Sequence, residues 1–440
     1  MRVKLGKRII SGLALAFVFC VAASANAAPV YVGGCGTPSY TTIQDGVNHA
    51  VAGGIVDVCA GGGSGSGGSY PEQIFINKRL TLQGIAVGNA NQAVMVSPAG
   101  GVVANTVSLS SGNPIAAQIW VHDTTAVSIT NLVVDGSNNG LVGCGVPDLI
   151  GIYYQDASGI MNHVVTRGQT AVPASGCQWG LGIFVQSGTS TVTHNPGTST
   201  VSVLNSSVHD FQKNGITGNE VGTKLTVTLD QVRGQGSTTG AAENGIQLGF
   251  GATGKISTNT VIDEVWAPDT SSDTGDAAAG ILVYDAANVS ILSNHVGNTQ
   301  FGIGVVGDGS FPADNATISS NTLDGTLIFD GIDVCGSSGG TISSNTIAGS
   351  TQSGIHLDGT CAPTASGGTT VDSNAINEGC AGILNNTAGN TIAATNTYYN
   401  VVNTTLAADT CTLPVIGGDI SRIQVAGSSE DTARPHPVRP

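Results

Sequence analysis

Between residues 151 and 383 the chain keeps returning to the pair Gly-Ile. The copies begin at Gly151, Gly182, Gly215, Gly245, Gly280, Gly302, Gly331, Gly354 and Gly382, at intervals of 31, 33, 30, 35, 22, 29, 23 and 28 residues. A second element, apolar-x-x-Asn-x-apolar, falls between many of them. It reads Ile256 to Val261, Ile291 to Val296, Ile318 to Leu323, Ile342 to Ile347 and Val371 to Ile376, around Asn259, Asn294, Asn321, Asn345 and Asn374. Each period holds short apolar alternations and polar turns, with no room for a long helix. A unit this small cannot bury its apolar face alone, so the units must stack into a solenoid. Short strands in every turn make that solenoid a parallel all-β one.

Stacked coils lie about 4.8 Å apart, so equivalent positions form columns along the axis. The five Asn residues then become a ladder of mutually hydrogen-bonded amides, and the Gly before each Ile is expected to permit a tight turn. Some ten to eleven coils predict a rod of about 50 Å. Its open ends need caps. Ile43, Val47, Ala50 and Val51 fall at helical spacing, with Thr42 and Asp45 at capping-box spacing, which predicts an N-terminal capping helix. Composition agrees: 64 glycines without a three-residue period exclude a collagen fibre, and 40% hydrophobic residues argue against disorder.

Arg2, Lys4, Lys7 and Arg8 precede an apolar run that ends before Ala25-Asn26-Ala27, so residues 1–27 are expected to be a cleaved signal peptide. Residues 28–425 then form the solenoid with its caps, and 426–440 a flexible tail. No stretch is long enough to span a bilayer. The mature chain keeps 10 basic residues, 14 less the leader's four, against 29 acidic, a net charge of −19. That field repels nucleic acid and anionic membranes. Eight cysteines remain after the leader, an even number without C-x-x-C, which predicts disulfides and a secreted or periplasmic location. The repeat makes sequential pairing natural: Cys35–Cys59, Cys144–Cys177, Cys335–Cys361 and Cys380–Cys411.

The repeats, with the opening Tyr40-Thr-Thr-Ile43-Gln44-Asp45-Gly-Val47, Gly54-Ile-Val-Asp-Val58 and Tyr70-Pro-Glu72 through Gly84, resemble the right-handed parallel β-helix proteins of the pectate-lyase-like superfamily. The likeness covers about residues 40–395. It implies a right-handed, single-stranded parallel β-helix, expected as a monomer, and work on a polysaccharide. Lyases of this fold use Arg or Lys as the base beside a uronate carboxyl that Ca²⁺ often neutralises. The polygalacturonase, mannuronan epimerase and pectin methylesterase signatures are missing, so the resemblance names no reaction.

In Gly-Ile-x-Val the Ile and Val point inward and x points out. Trp120, Tyr153 and Phe184 take that place on successive coils, which gives either a strip for stacking on sugar or an aromatic stack covered by loop 137–148 or 168–180. Trp179 and Trp266 precede Gly-Ile strands and would edge a groove or pack their own loops. Lys213 and Arg233, near Asp210 and Glu243, are base and acid candidates on neighbouring coils. Asp333 and His356 are a second pair; surface salt bridges are the plain alternative for both sets. An acidic stretch after Asp263, with Asp269, Asp273 and Asp276, offers oxygen ligands for Ca²⁺ or is simply a solvated loop. Two functions stay open: an exported protein that binds or cleaves polysaccharide as a lyase or hydrolase, and a non-catalytic cell-surface or adhesive rod.

Overall fold

The computed structural model describes residues 28–171, 177–188, 197–266, 277–309, 311–359, 367–408 and 410. The predicted leader and tail lie outside them, as do Cys361, Cys411, Asp269, Asp273 and Asp276.

Each coil contributes a strand to each of three faces. The first face is a fourteen-stranded ladder; two of its strands, Val30–Val32 and Ser39–Tyr40, belong to the cap, leaving twelve in successive coils. That count is the nine Gly-Ile coils plus three terminal ones, one or two more than the ten to eleven expected. The other two faces join at a corner into one larger sheet. Pairing among the described strands is parallel except where Thr106–Val107 runs antiparallel to Pro114–His122.

Alternation along each strand sends one side chain in two to the axis. The Ile of Gly-Ile pairs coil upon coil, from Ile216↔Ile246 and Ile246↔Ile281 to Ile355↔Ile383. These residues and the Ile and Val of the other faces are buried in one continuous core. Fully burying such a side chain is worth about 1.5–3 kcal/mol.

The first corner turns on one residue. Thr258, Ser293, Ser320, Ser344 and Ser373 all have φ between 56° and 61°, and a buried Asn follows each. Asn294 Nδ2 donates to Asn321 Oδ1 at 2.9 Å and to the Ile256 carbonyl at 3.0 Å, while the Asn294 backbone N–H also donates to Asn321 Oδ1. The pattern repeats through Asn345 and Asn374 and continues to Asn396. The amide ladder is therefore present, longer than the five predicted rungs.

The repeated glycines act differently from the expectation. None of the nine has a positive φ. A Cβ on Gly215 would stand 2.6 Å from the Gly245 carbonyl oxygen and 2.6 Å from Val232 Cγ1. These glycines let coils approach at the second corner, and turn geometry does not require them.

Ile43–His49 forms the capping helix, with the Thr42 side chain accepting from the Asp45 N–H. Ile43, Val47 and Ala50 face the first coil, whereas Val51 is exposed. Cys35–Cys59 and Cys144–Cys177 are disulfides as expected. Cys335 and Cys380 are disulfide-bonded too. Among the described residues no helix is long and apolar enough to cross a membrane.

Candidate functional site

The third face carries most of the chemistry. Its outward columns run parallel to the axis, and the one through Trp120, Tyr153 and Phe184 continues through Asp333 and His356. Pointing away from the core does not expose them. Tyr153 and Phe184 are fully buried and stack at 5.1 Å with planes 7° apart. Their cover is the stretch before Pro114, neither of the two loops the sequence suggested. Leu109 N–H donates to Gln186 Oε1 at 2.9 Å, Tyr153 Oη donates to the same oxygen at 2.6 Å, and Gln155 Nε2 donates to the Val107 carbonyl at 2.8 Å. Burial holds the Tyr153 hydroxyl far above its ordinary range. Trp179 is buried with Val102, Ala116, Leu141 and Leu149, so it packs a loop and edges no groove.

Trp120 and Trp266 remain half-buried. Trp120 stacks on His122 at 4.0 Å and pairs in register with Phe75, which is 43% exposed. Trp120 Nε1–H donates to Gln155 Oε1 at 2.8 Å, fixing the indole edge.

The central candidates separate across the wall. Lys213 and Glu243 are wholly buried, with Lys213 Nζ donating to the Ala242 carbonyl and Glu243 Oε2 accepting from Gln235 N–H at 2.9 Å. Burial pushes the Glu243 carboxyl well up; the Gln235 hydrogen bond and the nearby Lys213 ammonium pull against it. Arg233 is 68% exposed and pairs with Asp263 at 2.8 Å, and Asp210 pairs with His209 at 2.7 Å. The reason is strand alternation: Arg233 and Val232 are neighbours, one inward and one out. Glu264, next to Asp263, lies in the strand Thr260–Trp266 with both oxygens buried and without a hydrogen-bond partner.

Asp333 and His356 do come together, as register partners on adjacent coils. His356 Nδ1 lies 3.4 Å from Asp333 Oδ2 and 3.4 Å from Asp330 Oδ2, and Nε2 lies 3.9 Å from Asp358 Oδ1. All four residues are buried. Ser353 holds the other Asp330 oxygen through its backbone N–H at 2.9 Å and its hydroxyl. Burial drives the Asp333 carboxyl far up against the pull of His356; the carboxylates raise His356 despite its burial. Sequence reasoning missed Asp330 and Asp358. The available signal was spacing: Asp358 follows His356 by two, the distance that keeps a strand's side chains on one face.

A family model described as periplasmic copper-binding protein (NosD) matches residues 232–412. Among curated proteins none matches in sequence. Several solved structures share the fold. The A-module of a mannuronan C-5 epimerase from Azotobacter vinelandii superposes with a TM-score of 0.55 at 14% identity, over 84% of this chain and 91% of that one. The Dettilon tailspike protein gives 0.57 at 12% identity, over 84% and 68%. A surface adhesin of Streptococcus pneumoniae gives 0.52 at 13%, over 82% and 88%. The chain is a right-handed parallel β-helix protein. As a β-helix it shares its coil with enzymes and adhesins alike, so the fold leaves the activity to the side chains.

Among the described residues, the side chains do not fit copper. The matched stretch has no methionine, and its described cysteines are tied in disulfides, which removes the soft ligands Cu(I) takes. The 3.4 Å separations around His356 are also wider than the adjacent edges of a square plane, about 2.8–2.9 Å for bonds of about 2.0 Å.

Proposed function

We propose that this protein is an exported β-helix that binds polysaccharide without cleaving it, through the aromatic group at its N-terminal coils. The observation that carries this reading is the set Phe75, Trp120 and His122. Phe75 and Trp120 pair in register, Trp120 stacks on His122, and Phe75 presents 43% of its surface to solvent. Aromatic faces held one coil apart suit the apolar faces of successive sugar rings. Of the acid and base candidates, Lys213, Glu243, Asp333 and His356 are buried beyond the reach of a chain-like substrate, and Arg233 and Asp210 are engaged in surface ion pairs. Such exposed pairs are worth little to stability. The predicted leader and the disulfides support export, and the fold shared with a mannuronan epimerase supports work on a polysaccharide.

Affinity electrophoresis of the mature protein through a panel of neutral and uronate polysaccharides, with tryptophan fluorescence as a second readout, tests the reading. Retardation by at least one glycan is expected, weakened about tenfold or more in Trp120→Ala, with neither unsaturated product nor new reducing ends. No binding to any glycan, or equal binding by Trp120→Ala and Phe75→Ala, would overturn it. Release of unsaturated uronate would replace it with the lyase reading, with Arg233 as the first base to substitute.

A further inference from the structure

We propose that Asp330, Asp333 and His356 form a buried structural site for a tetrahedral divalent cation of the Zn²⁺ type, tying adjacent coils together. The three side chains offer one ring nitrogen and carboxylate oxygens that lie within 4.8 Å of one another. His356 is 5% exposed and both aspartates are wholly buried, yet Asp330 Oδ2, both Asp333 oxygens and both imidazole nitrogens lack a hydrogen-bond partner. Leaving such groups unsatisfied in the interior is costly.

Plain ion pairing does not account for the geometry. This chain's exposed pairs, His209 with Asp210, His295 with Asp324 and His122 with Asp123, close to 2.7, 2.7 and 2.9 Å. Around His356 the nearest carboxylates stand off at 3.4 Å. A tetrahedron with metal–ligand bonds of about 2.1 Å has edges of about 3.4 Å, so this is the separation at which donors share an ion. Asp358, 3.9 Å from the other ring nitrogen, stands where a carboxylate orients a ligating imidazole. Ser353 fixes Asp330 from behind. One imidazole with carboxylates suits Zn²⁺; Ca²⁺ prefers oxygen alone. The three side chains supply three corners of the tetrahedron, and the second Asp333 oxygen, also buried and unpartnered, is available for the fourth; burial of all three residues keeps a substrate away, which marks the site as structural.

Tag-free mature protein, stripped with EDTA and dialysed, would be titrated calorimetrically with Zn²⁺ and melted with and without it. We expect a single tight Zn²⁺ per chain, a higher Tm with Zn²⁺, and intense visible bands from tetrahedral Co²⁺ in its place. Asp333→Asn and His356→Gln should each weaken Zn²⁺ at least tenfold and abolish the Tm rise, while His295→Gln, at an exposed pair, keeps both. If His356→Gln does not fold, Asp330→Asn with Asp333→Asn serves in its place. Failure of the wild-type chain to bind Zn²⁺, or wild-type affinity in the folded variants, would overturn the site. Glycan binding is read separately, so the two proposals fail independently.

Discussion

Asp230 occupies the ladder position one coil ahead of Asn259. Its N–H donates to Asn259 Oδ1 at 2.9 Å, and its carboxylate accepts from Ser206 N–H at 2.6 Å and Thr228 N–H at 3.0 Å. Burial raises its pKa from the ordinary 3.8 to about 7, outweighing those hydrogen bonds. A carboxyl whose pKa is raised by folding stabilises the fold fully below pH 3.8 and loses that contribution as pH rises to about 7. Asp230→Asn removes the dependence and supplies an amide donor toward Asn259, while the Thr228 N–H loses its acceptor, which offsets part of the gain. The variant is expected to be more stable than wild type at pH 8 by roughly 2–4 kcal/mol, with a smaller gap at pH 5, as read by denaturant melts. Glu220 and Asp285, raised by burial to about 7 and about 8, leave part of the alkaline loss in place. A second residue-scale prediction concerns Gly245. A Cβ there would meet Val261 Cγ1 and stand 2.6 Å from the Gly280 carbonyl, so Gly245→Ala should cost about 1–3 kcal/mol or more. An unchanged Tm would show that the coils can part at that corner.

At the scale of the element, the ladder tests whether amide rungs hold coils together. Asn321→Ala leaves the Asn294 N–H and side-chain amide without their acceptor and the Ile291 carbonyl without a donor. About 2–4 kcal/mol of destabilisation is expected, with faster amide exchange confined to the coils on either side. Exchange that rises evenly along the rod would contradict the rung model. The inward columns and the ladder were legible because their residues recur with the coil. What the sequence did not show is which non-repeating stretch covers the outside. The stretch before Pro114 has no periodicity to fix its place, and its docking on Gln155 and Gln186 is a tertiary choice. Lys213 and Glu243 misled for a related reason: charge reads as surface until a neighbouring coil's carbonyls and amides are seen around it.

Across the whole molecule, nearest-neighbour stacking makes stability a sum of coils and the interfaces between them. The disulfide Cys35–Cys59 closes a loop of 24 residues between the cap and the first coil. Replacing both cysteines by serine should cost about 3 kcal/mol, expressed as increased exchange of the N-terminal coil and helix Ile43–His49. Coils around Asn321 should keep wild-type protection; a uniform loss would mean the rod unfolds as one unit. The same independence bears on the amide ladder. Asn294 offers Asn321 the same two donors that Asn321 offers Asn345, 24 residues further on. Excising one such interval would bring Asn294 to Asn345 with the ladder's own bonds re-formed, though residues 321–344 take Asp330, Asp333 and the disulfide-bonded Cys335 with them, and copying it would add a rung of the same kind. The rod's length is therefore open to revision in whole increments, as links are added to a chain, without redesign of either end.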